Sequence, residues 1–157
     1  EFFKWFALLY AILGHKEFDE PYDGIVYAAA VSLGFATLEN IFYAVSYQLG
    51  PADLILRALL PVSGHALFGV IMGYNLGLAK FDPAHRRRYL LRALCVPAFW
   101  HGLFDYVLGL NSTYWVWLIV PLMVSLWLRG IRKMHLANLR SPYRALRRGD
   151  DSPPTSL

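Results

Sequence analysis

Long apolar runs separated by short polar breaks organise this chain. Five runs can be drawn, over residues 1–13, 24–47, 54–79, 89–110 and 114–128. None has the strict alternation of a half-buried strand, so each predicts a helix and a β-barrel is excluded. A membrane-crossing helix needs about 20 apolar residues, and the middle three runs reach that length directly. The fifth is short and rich in Trp, which suits a helix that begins in the lipid headgroups. The pattern predicts an all-α protein, a polytopic transmembrane helix bundle of about five spanning helices. Residues 1–133 form the membrane core, and 134–157 are expected to be a basic, disordered cytoplasmic tail.

Composition agrees. The 157 residues fit one domain, 57% are hydrophobic and only 17% charged, too apolar for an ordinary water-soluble domain. Five Trp, ten Tyr and ten Phe suit bilayer interfaces. Cys95 is the single cysteine, so no internal disulfide forms. The chain opens on Glu1 and its first residues read as mid-helix, which predicts a processed chain or an excerpt of a longer protein.

Charge changes the picture from a bundle to an oriented bundle. Lys80, Arg86, Arg87 and Arg88 fill the break between the third and fourth runs. Arg129, Arg132, Lys133, Arg140, Arg144, Arg147 and Arg148 follow the fifth, whereas "QLGPAD" and "GLNST" hold no Lys or Arg. Positive residues mark the cytoplasmic side, so that break and the C-terminus are predicted inside. The loop "GHKEFDEPYD", with Lys16 and four acids, then also lies inside. The net charge of +4 reads as a topology signal with an anionic-lipid anchor at the tail, not as a nucleic-acid surface.

Six ionisable residues contradict the apolar background: Glu1, Lys4, Glu39, His65, His101 and Asp105. Each costs about 2.5–3.5 kcal/mol at the centre of a spanning helix, so six need a common reason. Depth supplies one. Counted from the cytoplasmic ends at 1.5 Å per residue, Glu1 lies about 18 Å up, Glu39 about 22 Å, His101 about 18 Å and Asp105 about 24 Å. His65 lies about 16 Å below the outer end of its downward run. Four helices thus converge on one layer. His101 and Asp105, four apart, share a face, as do Glu1 and Lys4, three apart. Glu39 lies on the stripe Ala28, Ser32, Phe35, Glu39, Tyr43, whose small members suit close helix packing. Gly69, Gly73 and Gly77 form a second small-residue ridge, read as packing. Both histidines follow a proline by one turn, in "PVSGH" and "PAFWH", where freed carbonyls admit water. Arg57 and Arg92 read as snorkelling side chains near span ends. His15, His85 and His135 receive no role.

These residues resemble the motifs of PrsW-type intramembrane proteases, in the superfamily of CAAX-processing and bacteriocin-immunity membrane proteases. The family pattern is Glu-Glu-x-x-Lys, Phe-Ala-x-x-Glu-Asn, a lone His, and His-x-x-x-Asp on successive helices. Glu1 and Lys4 in "EFFK" fit the second Glu and the Lys of the first motif. Phe35, Ala36, Glu39 and Asn40 fit the second, His65 in "GHALFG" the third, and His101 with Asp105 in "HGLFD" the last. The first Glu of the opening pair has no counterpart in this sequence. The likeness runs to about Gly109.

The resemblance implies hydrolysis of a peptide bond in a membrane-anchored protein, an anti-sigma factor being the model case, in a prokaryotic plasma membrane. The catalytic candidates are Glu1, Glu39, His65, His101 and Asp105, with Lys4 and Asn40 as substrate-binding or orienting residues. Hydrolysis needs a base for water and a donor for the oxyanion. Glu39 and Glu1 are base candidates, the histidines donors, and Asp105 an orienter of a His tautomer. The mechanism needs no cofactor, or a divalent metal such as Zn held by His65, His101, Glu39 and Asp105. There is no His-Glu-x-x-His signature to decide. No Ser or Cys nucleophile stands with a base, since Ser63 and His65, two apart, point away from each other. A proton- or ion-coupled transporter could use the same layer, although no internal repeat is visible. A non-catalytic membrane scaffold is the third reading.

Overall fold

The computed structural model describes residues 1–110 and 114–143. The expectations placed on Arg144, Arg147, Arg148 and the "GDDSPPTSL" end lie outside those residues.

The chain forms α1 (Phe2–Ala7) running into a π-helical segment (Leu8–Ile12), then α2 (Pro21–Tyr47), α3 (Pro51–Leu59), α4 (Pro61–Phe81), α5 (Arg86–Gly109) and α6 (Trp115–Leu139). A single 3-10 turn, Pro83–His85, joins α4 to α5. Local chemistry sets the boundaries. Pro21 and Pro51 stand at the first positions of α2 and α3, where a missing N–H costs nothing. The Asp23 carboxylate accepts the Glu20 and Asp19 N–H groups at the start of α2. Gln48 closes α2 in the left-handed conformation at φ 48°.

The third run is one membrane-length stretch of 31 residues, but not one straight helix. Leu60, at φ −97° and ψ −67°, separates α3 from α4. Pro61 has no N–H for the Arg57 carbonyl, so the helix breaks there. Pro97, the counterpart in α5, sits inside an unbroken helix. Among the described residues, three helical stretches are long and apolar enough to cross a membrane: Pro21–Tyr47, Pro51–Phe81 and Trp115–Leu139. The other two expected runs are helical as well and belong to the same polytopic bundle. The stretch Phe2–Ile12 is short, and α5, although 24 residues long, carries Arg86, Arg87, Arg88, Arg92, His101 and Asp105. The fifth run does not stop at 128 but continues as helix to Leu139, so residues 134–139 of the expected tail are helical.

The bundle is built around α4, buried almost continuously from Gly64 to Ala79. On one side α2 lies against it with backbone nearly touching backbone. A Cβ on Gly73 would stand 2.1 Å from the Gly24 carbonyl oxygen, and one on Gly69 2.8 Å from the Ala28 carbonyl oxygen. Only glycine fits these two places. The Ser32 hydroxyl, buried on the same face of α2, donates to the His65 carbonyl at 2.6 Å. On the other side, Phe68, Ile71, Phe104, Met123 and Leu126 fill the angle between α4, α5 and α6. Large apolar residues such as Phe42, Val45, Trp117 and Leu128 are exposed, as lipid-facing surface requires.

One end of the bundle gathers the loop before α2, the α4–α5 joint and the chain after α6. Lys80 Nζ donates to the His15 carbonyl at 2.8 Å. The Ser141 hydroxyl donates to Glu20, and the Tyr143 hydroxyl to Asp19 at 2.9 Å. The bond to Asp19 raises the Tyr143 phenol above its ordinary pKa. The segment directly after α6 is therefore tied down as far as Tyr143.

Candidate functional site

The intramembrane polar residues meet in one hydrogen-bonded chain across five helices. Arg57 Nη2 of α3 donates to Glu39 Oε1 of α2 at 3.2 Å. Glu39 Oε2 lies 2.9 Å from His65 Nε2 of α4. His65 Nδ1 lies 2.8 Å from Lys4 Nζ of α1, which donates to Glu1 Oε1 at 2.5 Å. The same Glu1 oxygen lies 2.8 Å from His101 Nδ1 of α5, whose Nε2 is 3.3 Å from Asp105 Oδ2.

Donor and acceptor counting fixes protons. An ammonium only donates, so His65 Nδ1 accepts from Lys4 and the His65 proton sits on Nε2, directed at Glu39. His101 stands between two carboxylates, and a neutral imidazole can donate to only one. The Nε2 side of His101 stands at ion-pair distance from Asp105 Oδ2. The His101 ring stacks on Phe68 at 5.0 Å between centroids, which holds its plane.

A cavity of about 360 Å³ opens beside this chain. Glu39, Arg57, His65, His101 and Asp105 form its polar wall. Tyr43, Pro61, Phe68, Phe104 and Leu108 form its apolar wall. Glu1 and Lys4 lie behind the two histidines, away from the cavity, with side chains only 3% and 4% exposed. All seven sequence-selected residues thus fall in one neighbourhood, in two ranks.

The structure bears on three assignments. Asn40 is not among the residues that line the cavity; its Oδ1 accepts from Arg57 Nε at 2.9 Å and so holds Arg57. Arg57 does not snorkel. It bonds Glu39 and Asn40, lies 3.8 Å over the Tyr43 ring, and faces the cavity. Its signal was in the hairpin: Glu39 lies nine residues before Gln48 and Arg57 nine after it, which brings them level. Third, the donors that approach one another closely are Glu1, His65 and His101, within 4.8 Å. Glu39 and Asp105 fall outside that group, since Glu39 is turned toward Arg57 and Asp105 lies one turn beyond His101. Two imidazoles and a carboxylate suit a divalent cation. Glu1 Oε2 is buried without a hydrogen-bond partner, an open acceptor in the same group. In the structure the positive charge among these groups is the Lys4 ammonium.

The family model described as "PrsW family intramembrane metalloprotease" matches residues 1–128. The chain belongs to the PrsW family. Among curated relatives, Protease PrsW of Geobacillus kaustophilus is 50% identical over 137 residues, covering 87% of this chain and 60% of that protein. Protease PrsW of Bacillus subtilis is 50% identical over 134 residues, covering 85% and 60%. Protease PrsW of Clostridioides difficile is 33% identical over 135 residues, covering 83% and 57%. The chain spans about three fifths of the length of these relatives. No solved structure matches it. Membership in the PrsW family and the apolar helices together make this an integral membrane protein. The polar residues on which the resemblance rested, Glu1, Lys4, Glu39, Asn40, His65, His101 and Asp105, all belong to this network, which Arg57 completes.

Proposed function

We propose that the full-length protein is an intramembrane endopeptidase that cleaves a membrane-anchored protein, of which an anti-sigma factor is the expected type. The observation that carries this reading is a cavity with one polar wall, Glu39, His65, His101, Asp105 and Arg57, and one apolar wall, among lipid-facing helices. Such a site admits both an apolar segment and the water that must attack it.

Glu39 is the base. It faces the cavity, and its two oxygens are oriented by Arg57 and His65. Removal of a proton from water by Glu39 generates the nucleophile. The Arg57 guanidinium, on the same wall, is the cation available to a developing oxyanion. His101, beside Asp105 on the cavity wall, is the proton donor for the departing amine. Lys4 and Glu1 act from behind by fixing the tautomers of the two histidines. With the Lys4 ammonium displaced, Glu1, His65 and His101 would hold a divalent cation such as Zn, which when bound would polarise a carbonyl and acidify water. The end of the bundle with Lys80 and Arg86 faces the cytoplasm of a prokaryotic plasma membrane, and the basic residues that follow α6 meet anionic lipid.

A carrier would use the same polar residues, but kinship with proteins named as proteases weighs against it. The test is co-expression of the full-length protein with candidate single-span substrates, reading cleavage by product size. Glu39→Ala and His101→Ala are each expected to lower the rate by about 10²–10⁴-fold. Cleavage at the wild-type rate by either variant overturns the mechanism.

A further inference from the structure

Away from the cavity, α5 and α6 carry four cations, and Arg129 of α6 reaches across to α5. Arg92 comes from α5, and Arg129, Arg132 and Lys133 from α6. Arg129 lies 5.0 Å over the Trp100 ring of α5, and Lys133 lies 4.3 Å over the Tyr74 ring of α4. Lys133 stands in the like-charge field of Arg129, Arg92 and Arg132. Among the described residues, no carboxylate pairs with any of the four. Aromatic faces attract a cation but carry no net charge, so the repulsion is not neutralised within the described chain.

Depth and surroundings define the missing anion. Arg129 is ten residues before Leu139, about 15 Å along the helix. Its neighbours Trp127, Leu128 and Ile131 are exposed and apolar, as is Leu91 beside Arg92. A soluble polyanion does not enter such a surface, whereas a phospholipid brings its phosphate and acyl chains together. Long cationic side chains at this depth reach toward the headgroup layer. Basic pockets between helices are an established way to hold such headgroups.

We propose that Arg92, Arg129, Arg132 and Lys133 form a binding site for the phosphate of an anionic phospholipid. The lipid belongs to the leaflet that meets the Arg86 end of α5 and the Leu139 end of α6. Its acyl chains run along the exposed apolar residues of the α5–α6 groove. The site is distinct from the attraction of a basic tail to a membrane surface, because two of its cations, Arg129 and Lys133, are held over aromatic rings of α5 and α4.

The full-length protein is reconstituted in nanodiscs of phosphatidylcholine alone and of phosphatidylcholine with phosphatidylglycerol. Phosphatidylglycerol retained after transfer to detergent is read by native mass spectrometry, without any substrate. The wild type is expected to retain it. Arg129→Gln and Lys133→Gln are each expected to reduce retention about fivefold, the worth of one cation near the surface. Arg92→Gln, a change at an exposed position of α5, repeats the test should either of those fold poorly. Replacing Arg86, Arg87 and Arg88 by Gln changes charge at the same end but not in the groove, and retention is expected to persist. Equal loss in that control overturns the proposal in favour of diffuse surface attraction. Displacement of the lipid by inorganic phosphate at similar concentration also overturns it, because the site would then read phosphate and not lipid. Neither result bears on peptidase activity, which is assayed separately.

Discussion

Helix α4 has charge on two sides, and the two sides treat it differently. Toward α1, α2 and α3, every cation has an acid: Arg57 meets Glu39, and Lys4 meets Glu1. Toward α5 and α6, Arg129 and Lys133 meet aromatic rings and, among the described residues, no acid. Packing differs in parallel. On the α2 side glycines press backbone on backbone, whereas a Cβ on Gly130 of α6 would meet only a side-chain tip, Leu67 Cδ2 at 2.9 Å. A chain of bonds with donors placed to within a few tenths of an ångström needs helices that cannot slide. A lipid headgroup tolerates helices that do. The difference teaches that rigidity here is local and accompanies the polar chain.

The strongest way to break this comparison is to put the same side chain on both faces. Gly73→Val places a Cβ against the Gly24 carbonyl, where only backbone movement can relieve it. Its expected cost exceeds about 5 kcal/mol, seen as loss of folded protein in detergent. Gly130→Ala meets a leucine methyl that can turn aside, and about 1 kcal/mol is expected. Similar thermal-unfolding midpoints for the two variants would mean that the α2–α4 seam is not the tight one.

Lys4→Met tests the closed network at its most buried link. The change leaves Glu1 with His101 as its only remaining partner in the chain and strips His65 Nδ1 of its donor. Breaking a buried pair costs about 3–5 kcal/mol because the surviving charge stays in place. The double variant Lys4→Met with Glu1→Gln should recover part of that loss. Absence of any recovery in denaturant midpoints would show that Lys4 contributes packing and not charge.

Much of this was legible in the sequence, for a physical reason. Glu39, His65, His101 and Asp105 stood out because an ionisable group in an apolar run is costly, and cost implies a partner. Their convergence followed from depth counting, which depends only on helix rise. Arg57 was misread because an arginine near a span end has a cheap alternative, reaching water, that composition alone cannot distinguish from pairing. Its partner depends on where the α2–α3 turn falls, and Gln48 in a left-handed conformation carries no strong turn signature. The bond from Arg57 to Asn40 was hidden for the same cause. The break at Leu60 was foreshadowed by Pro61, but Pro97 kept its helix intact. Proline marks where a helix can bend, and packing decides whether it does. The helical extension to Leu139 was hidden because Arg129, Arg132 and Lys133 read as the end of an apolar run, although a helix needs no apolar face where it leaves the membrane.

The smallest expected effects separate the two kinds of arginine directly. Arg57→Gln removes both the bond to Glu39 and the bond to Asn40, and leaves a half-buried carboxylate with His65 alone. The pair is partly exposed, so the full buried-pair cost does not apply, and about 1–3 kcal/mol is expected. Arg129→Gln removes only the contact with the Trp100 face, for about 0.5–1 kcal/mol in a zwitterionic detergent. Both are read as denaturant midpoints under one condition. In detergent supplemented with phosphatidylglycerol, the wild type should gain stability that Arg129→Gln does not share, while Arg57→Gln should gain it in full. A loss above about 2 kcal/mol at Arg129 without anionic lipid would mean that it has an acid partner within the protein. The α5–α6 side would then be closed like the other, and the contrast between the two faces of α4 would vanish.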